Sequence, residues 1–159
     1  MPGPVALVGA GEFLEPMAEF DAGLLAATGR VRPRVAILPT ASFPDGEEVF
    51  QRWATMGVAH FGRLGAEVEP VLVRDRTAAD DRAAAQAIGE ADLIYLSGGK
   101  PSYLMDALDG SAVGRAHKDK GVFRDVRSDD IAAAVVKSLV ERTGVDPAII
   151  DDVILGNTQ

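Results

Sequence analysis

Short apolar runs alternate with longer segments of helical spacing through the first two thirds of the chain. The short runs predict buried strands, whereas apolar residues that recur every three or four positions predict amphipathic helices. The strands are predicted at residues 5–8, 35–38, 68–73 and 93–96, and the helices at 12–28, 45–64, 80–88 and from about 102. Strands that alternate with helices indicate right-handed crossovers and therefore a parallel sheet.

The first two predicted helices each carry an apolar stripe. The first stripe comprises Leu14, Met17, Phe20, Leu24 and Leu25, and the second comprises Phe50, Trp53, Met56, His60, Phe61 and Leu64. Such stripes face the core in amphipathic helices. Because His60 lies on or beside the second stripe, we expect it to be packed in the core or at its rim.

The pattern changes after residue 109. Residues 111–127 are rich in Lys and Arg and predict an exposed basic loop, with anion or CoA-phosphate contact as the alternative. Ser128 then caps a helix predicted at 129–142, Gly144 ends it, and residues 153–155 predict a last strand. We expect an α/β fold, a three-layer sandwich around a mainly parallel sheet of about five strands. Residues 1–110 form its main part, and residues 128–159 pack into the same domain.

Composition excludes several kinds of site and partner. The formal net charge of −8 argues against nucleic acid and anionic membranes as partners. The absence of cysteine excludes disulfides, thiolate metal sites and a cysteine nucleophile, and two distant histidines, His60 and His117, do not suit a metal site. Without a signal peptide or a membrane span, the cytoplasm is the expected compartment. We expect no metal and no cofactor and a small peptide or acidic molecule as ligand, and the sequence allows a homo-oligomer.

A pair of glycines, Gly98 and Gly99, follows the strand predicted at 93–96 and precedes a helix. Open α/β sheets bind ligands at the carboxyl ends of their strands, and free N–H groups at a helix start favour an anion or oxyanion. The pair therefore predicts either a binding site or a tight turn that requires glycine. Glu12 follows another glycine turn, at residues 9–11, and either contacts the substrate or complements the dipole of its helix.

Three motifs occur in order along the first 110 residues: G-A-G-E-F at 9–13, I-L-P-T-A-S at 37–42 and I-Y-L-S-G-G-K-P-S at 94–102. In these motifs the chain resembles the serine peptidases that include cyanophycinase and the aspartyl dipeptidases, relatives of the class I glutamine amidotransferase fold. The resemblance implies that the N–H groups of Gly98 and Gly99 contribute to an oxyanion hole. Lys100 stands where asparagine or glutamine is common in that family, so its role is open.

The resemblance also implies a nucleophilic serine on a strained turn between a strand and a helix, with a histidine as base. No G-x-S-x-G motif occurs in the chain. The nearest candidate is Ser111, in G-S-A-V-G at 110–114, but its glycines have the wrong spacing and no strand precedes it. We therefore treat Ser111 as a weak candidate and expect a protein with little or no peptidase activity.

The last third carries other motifs: A-V-G-R at 112–115, G-V-F-R-D-V-R at 121–127, D-D-I-A-A at 129–133 and D-D-V-I-L-G-N at 151–157. This segment resembles the start of a thiolase (acetyl-CoA acyltransferase), whose catalytic cysteines and histidine lie beyond it. Two partial resemblances that meet near residues 109–112 indicate a fusion or chimera. The alternatives to a peptidase-like protein are thus a thiolase-derived fragment and a non-catalytic scaffold or binding module.

Overall fold

The computed structural model describes residue 6, residues 8–116 and the four residues Lys137, Val140, Gly144 and Asp146. The chain divides into two compact units, Ala6–Asp119 and a unit formed by Met1–Val5 with Lys120–Gln159. The sheet, the helices and the candidate site described below belong to the first unit. No helix in the described part of the chain is both long enough and apolar enough to cross a membrane.

Three parallel strands form the described sheet: β1 (Arg34–Leu38), β2 (Glu67–Pro70) and β3 (Leu93–Leu96). β1 lies between the other two, and its Val35 is aligned with Val68 of β2. Each connection between successive strands contains a helix, as parallel pairing requires. All three strands therefore end at the same edge of the sheet.

Five α-helices and three short 3-10 turns lie in the described part of the first unit. The helices are α1 (Ala18–Ala27), α2 (Glu47–Arg63), α3 (Arg82–Glu90), α4 (Pro101–Leu108) and α5 (Ala112–Ala116), and the 3-10 turns cover Glu15–Met17, Thr40–Asp45 and Ala78–Asp80. Acidic residues in the first turn of α2 complement its dipole, and Gly65, with a φ of 90°, follows its end.

Side chains of β1 alternate between two separate apolar clusters, one on each face of the sheet. The aromatic face comprises Phe13, Leu25, Val35, Ile37, Phe61, Ala66 and Tyr95, and the small-residue face comprises Ala36, Leu38, Val71, Val73, Ala79, Ile88 and Val113. Helices α1 and α2 contribute to the aromatic face, whereas α3, α4 and α5 contribute to the small-residue face. The described sheet is therefore the middle of three layers.

The strands predicted at 35–38 and 93–96 are confirmed, β1 being one residue longer. The strand predicted at 68–73 ends earlier, at Pro70. The N–H of Val73 donates to the carbonyl of Val71 at 2.9 Å, and this three-residue turn takes the chain away from β1. We expected a sheet of about five strands, whereas the described part of the chain contains a sheet of three. The strand predicted at 153–155 lies outside the described residues. Two of the four residues of the strand predicted at 5–8 are described, Ala6 and Val8, and neither is in a strand.

The helix predicted at 12–28 begins later, at Ala18, because the chain first makes a turn and a 3-10 segment. Its predicted stripe is wrong at two positions, since Leu14 is 51% exposed and Phe20 is 46% exposed. The fully buried position is instead Asp21, which pairs with His60 of α2. The inward side of α1 therefore carries a polar pair as well as Leu25, and the apolar pattern does not detect that pair.

The exposed loop predicted at 111–127 is wrong at its start, where α5 is helical and its Val113 is buried. Residues 117–127 lie outside the described part. Farther along, Lys137 and Val140 are helical, and the N–H of Gly144 donates to the carbonyl of Val140 at 3.0 Å with a φ of 67°. These residues agree with a helix that ends at Gly144. How residues 128–159 pack stays a prediction.

Candidate functional site

The glycine turn after β3 is fastened on both sides by backbone hydrogen bonds. The N–H of Ser97 donates to the carbonyl of Leu38 at 3.2 Å and extends the pairing of β3 with β1 by one residue. The N–H of Lys100 donates at 2.7 Å to the carbonyl of Ala41, which lies in the 3-10 turn Thr40–Asp45. The chain segments that leave β1 and β3 are therefore held side by side at the carboxyl edge of the sheet.

Gly99 requires glycine for two independent reasons. Its φ of 144° lies in the region that side chains disfavour. A Cβ atom at this position would also collide with the carbonyl oxygen of Ala41 and would lie 2.5 Å from the backbone nitrogen of Ser42. Both contacts are with backbone atoms, which cannot rotate away. The tight turn thus explains the identity of Gly99, while its N–H stays available for another role.

The N–H groups of Gly98 and Gly99 have no hydrogen-bond acceptor within the described part of the chain. The same holds there for the N–H of Ser102 in the first turn of α4, and Pro101 has no N–H to satisfy. Free donors at the end of a strand and the start of a helix suit a carbonyl oxygen or an anion. The turn can therefore stabilise negative charge on a bound group.

Glu12 approaches this turn from a distant part of the sequence. A Cβ atom on Gly98 would lie 3.1 Å from Oε1 of Glu12 and 3.9 Å from the indole ring of Trp53. The carboxylate of Glu12 makes no hydrogen bond or ion pair with any residue that the structure describes. The site thus combines unpaired N–H donors with a half-buried, unpaired carboxylate.

The turn that carries Glu12 is strained at the next residue. Gly11 has a φ of 85° and Phe13 a φ of 64°, and the N–H of Leu14 closes the turn by donating to the carbonyl of Gly11 at 3.1 Å. A left-handed backbone costs a non-glycine residue roughly 1–2 kcal/mol. The buried ring of Phe13 packs on Tyr95 with centroids 4.7 Å apart, and this burial offsets the strain.

A buried polar group lies within the aromatic face. Nε2 of His60 and Oδ2 of Asp21 are 2.8 Å apart, and the two side chains are 1% and 0% exposed. Oδ1 of Asp21, Nδ1 of His60 and the hydroxyl of Tyr95 have no hydrogen-bond partner among the described residues. Burial raises the pKa of Tyr95, and the charges of Asp21 and Glu12 raise it further, so this hydroxyl stays protonated. The expectation that His60 packs in the core is confirmed.

Lys100 lies at the rim of the turn. Its ammonium nitrogen is 3.9 Å from Oδ1 of Asp45, and the side chain is 59% exposed. An exposed pair at this distance contributes at most about 1 kcal/mol. The backbone N–H of Lys100 fixes the turn, and its charged end is available to a ligand.

The weak nucleophile candidate, Ser111, is the N-terminal cap of α5. Its hydroxyl donates to the carbonyl of Leu108 at 2.7 Å and accepts a hydrogen bond from the N–H of Gly114 at 2.9 Å. The residue is fully buried. These contacts satisfy a free N–H at the helix start, as a capping serine does. In this geometry the hydroxyl is not presented to a substrate.

Within the described residues, no serine hydroxyl is hydrogen-bonded to a histidine, and no cluster of His, Cys, Asp and Glu could hold a metal ion. A depression of about 240 Å³ lies where β1 and β2 begin, lined in part by Arg34, Glu67 and Ala91. Because it is at the opposite end of the strands, it is separate from the glycine turn. The candidate site therefore consists of the turn and Glu12.

Two residues that shape this region, Ala41 and Asp21, were not among the candidates predicted from the sequence. The carbonyl of Ala41 fixes the turn, and only its position in the P-T-A-S segment connected it to the site. Asp21 lies four positions after Met17 and four before Leu25, so helical spacing places it among apolar residues. A charged residue in such a stripe was the available signal of a buried pair.

The fold of the chain is similar to that of a solved peptidase. The crystal structure of a peptidase from an acI-B1 Actinobacterium matches with a TM-score of 0.64 and 28% sequence identity, over 71% of this chain and 47% of that chain. The chain, with its small parallel sheet, thus has a peptidase-like fold. The chain spans less than half the length of the solved peptidase.

Short stretches of the chain are similar to curated thiolases. The peroxisomal 3-ketoacyl-CoA thiolase of Encephalitozoon cuniculi is 40% identical over 45 residues, and thiolase A of Candida tropicalis is 40% identical over 47 residues. These stretches cover 28% and 30% of this chain but only 11% of each thiolase. The chain thus spans about a tenth of the curated relatives it matches. No family model matches the chain.

Proposed function

We propose that this chain is a peptidase-like protein that binds a short peptide at the glycine turn and hydrolyses it weakly or not at all. The observation that carries the proposal is the pair of N–H groups on Gly98 and Gly99 at the carboxyl end of β3, for which the described residues provide no acceptor. Donors of this kind stabilise the oxyanion that forms when a peptide carbonyl is attacked. The likeness to a solved peptidase supports the same assignment.

Weak activity follows from the chemistry around the turn. A serine peptidase needs a hydroxyl activated by a nearby base, and in this chain Ser111 caps a helix while His60 is buried against Asp21. An oxyanion hole without its nucleophile retains a residual acceleration of the order of 10³–10⁴ over water. The protein would therefore hold a peptide far better than it cleaves one.

The ligand class follows from the charges at the rim. An acidic side chain of a bound peptide would meet the exposed ammonium of Lys100, which is opposed only by Asp45 at 3.9 Å among the described residues. Peptides that contain aspartate are also what the motif resemblance implies. We therefore propose a short peptide with an acidic side chain as the ligand.

Titration of ¹⁵N-labelled protein with aspartyl-alanine tests the binding site. We expect saturable shifts of the Gly98 and Gly99 amide resonances, and Gly98→Ala should weaken binding by about tenfold because its methyl group enters the site. Gly62→Ala is the matched control, since a Cβ atom on Gly62 in α2 meets nothing within 4 Å. Binding without any change at Gly98 and Gly99 would refute this location.

A fluorophosphonate probe of serine hydrolases tests the predicted lack of activity. We expect no labelling of the folded protein. Labelling that disappears in Ser111→Ala would identify Ser111 as a working nucleophile and would refute the predicted lack of activity. Loss of labelling in a sample whose circular dichroism is unchanged would distinguish this outcome from unfolding.

A thiolase-derived fragment is the second candidate, favoured by the identities of 40% over 45 and 47 residues. The chain has no cysteine, so the acyl-transfer chemistry of a thiolase is not available to it. Titration with CoA separates the two candidates: saturable CoA binding with no response to peptide would favour the thiolase-derived reading. A folded protein that binds neither would be a scaffold.

A further inference from the structure

The carboxylate of Glu12 conflicts with the function of the turn beside it. Its Oε1 atom would lie 3.1 Å from a Cβ atom on Gly98, next to the N–H groups that are free to hold negative charge. A negative charge held on this turn and the carboxylate of Glu12 would repel each other, and more strongly where water is partly excluded. An oxyanion on the turn would therefore be destabilised by Glu12 unless a positive charge lay with them.

The position of Glu12 is held in place at a cost. Its neighbour Phe13 has a φ of 64°, and the ring of Phe13 is fixed by contacts with Trp53, Phe61 and Tyr95. Strained backbone persists only where surrounding packing determines it, and such positions cluster at functional sites. The strained turn thus fixes a carboxylate for which the described residues provide no partner.

A peptide can supply both charges from one residue. The backbone nitrogen and carbonyl oxygen of a single residue are about 3 Å apart, from the lengths of the three bonds that join them. If the first carbonyl oxygen of a peptide accepts hydrogen bonds from Gly98 and Gly99, its free α-ammonium lies within reach of a carboxylate beside Gly98. A peptide with a blocked amino terminus would place a neutral amide there.

We propose that Glu12 is a specificity-determining residue that binds the free α-ammonium group of a peptide held on the glycine turn. The inference rests on the proposed function, because it needs the peptide carbonyl on Gly98 and Gly99. It adds a requirement that the turn alone does not impose: the bound residue must be the first of its peptide.

The test compares aspartyl-alanine with N-acetyl-aspartyl-alanine, by calorimetry and by the amide resonances of Gly98 and Gly99. Wild-type protein should bind the free amine at least about tenfold more tightly than the acetylated form, the size of one charge-assisted hydrogen bond. Glu12→Gln should remove this difference, chiefly by weakening the binding of the free amine. Glu15→Gln, an exposed carboxylate in the next turn, is the matched control and should preserve the difference.

The outcomes separate this inference from the proposed function. If both ligands shift the Gly98 and Gly99 resonances with equal affinity, the peptide site stands and the role of Glu12 is refuted. If neither ligand shifts them, both proposals fail. If Glu12→Gln does not fold, Glu12→Asp moves the carboxylate by one methylene and should reduce the preference for the free amine; an unchanged preference would then refute the inference.

Discussion

The two faces of the sheet share β1 but are built from different chemistry. The aromatic face brings together the rings of Phe13, Phe61 and Tyr95 and encloses the pair formed by Asp21 and His60. The small-residue face is packed from alanine, valine and other aliphatic side chains. The strained turn that carries Glu12 is attached to the aromatic face. The aromatic face therefore positions Glu12, whereas the small-residue face holds α4, whose first turn follows the glycine pair.

The largest effect should come from breaking the buried pair. His60→Leu keeps the approximate volume but leaves the carboxyl group of Asp21 buried without its partner, which should cost about 3–5 kcal/mol in the free energy of unfolding. Urea denaturation measures the change. Ile88→Val, on the small-residue face, is the reference and should cost only about 0.5–1.5 kcal/mol.

A double variant tests whether the side chains of Asp21 and His60 interact directly. Because Asp21→Ala removes the unpaired carboxyl group, His60→Leu combined with Asp21→Ala should cost less than the sum of the two single changes, with a coupling of about 0.5–3 kcal/mol. Strictly additive losses would contradict the pairing of these side chains.

An intermediate effect is expected where α2 rests on the sheet. A Cβ atom on Gly57 would lie 2.8 Å from the side chain of Ile37 and 3.0 Å from the ring of Phe13. Gly57→Ala should therefore cost about 1–3 kcal/mol by overpacking the aromatic face. Gly62→Ala, in the same helix but in open space, should instead stabilise by up to about 1 kcal/mol. Thermal unfolding of the two variants should give shifts of opposite sign, and equal shifts would refute this packing.

The smallest effect is expected from the exposed ion pair of Glu47 and Arg74, which serves as a reference for the buried pair of Asp21 and His60. Hydrogen bonds from Arg74, and then from Gln51, lower the pKa of Glu47 from 4.5 to about 2. A carboxyl group whose pKa is lower in the folded than in the unfolded chain stabilises the fold at pH values above its unfolded-state pKa. This contribution is lost as the pH falls from about 4.5 through about 2. Arg74→Ala should raise the pKa of Glu47 towards 4.5, as measured by ¹³C NMR titration, whereas Arg63→Ala should leave it unchanged.

Local patterns were sufficient for the elements that are locally determined. The apolar runs predicted β1 and β3, and Gly65 marked the end of α2, because burial and glycine geometry act over a few residues. The sequence also placed Gly98, Gly99 and Glu12 among the candidate residues. It did not predict that Glu12 lies against Gly98, because that contact depends on how the whole sheet brings the two turns together.

Long-range partners account for the other differences. Asp21 is buried because it meets His60, 39 residues away, and no local pattern reports such a pair. The positive φ of Phe13 is sustained by rings from α2 and β3, which a reading of the turn alone does not include. The helix α5 is different, since the capping position of Ser111 before Gly114 was a short-range signal that the basic composition of the segment concealed.

The contact between Gly99 and Ala41 has a consequence for mobility. The 2.7 Å hydrogen bond from the N–H of Lys100 to the carbonyl of Ala41 and the close backbone approach at Gly99 hold together the segments that leave β3 and β1. The donors at Gly98 and Gly99 are therefore set in place before any ligand arrives. A group that fits them therefore needs little ordering of the protein when it binds.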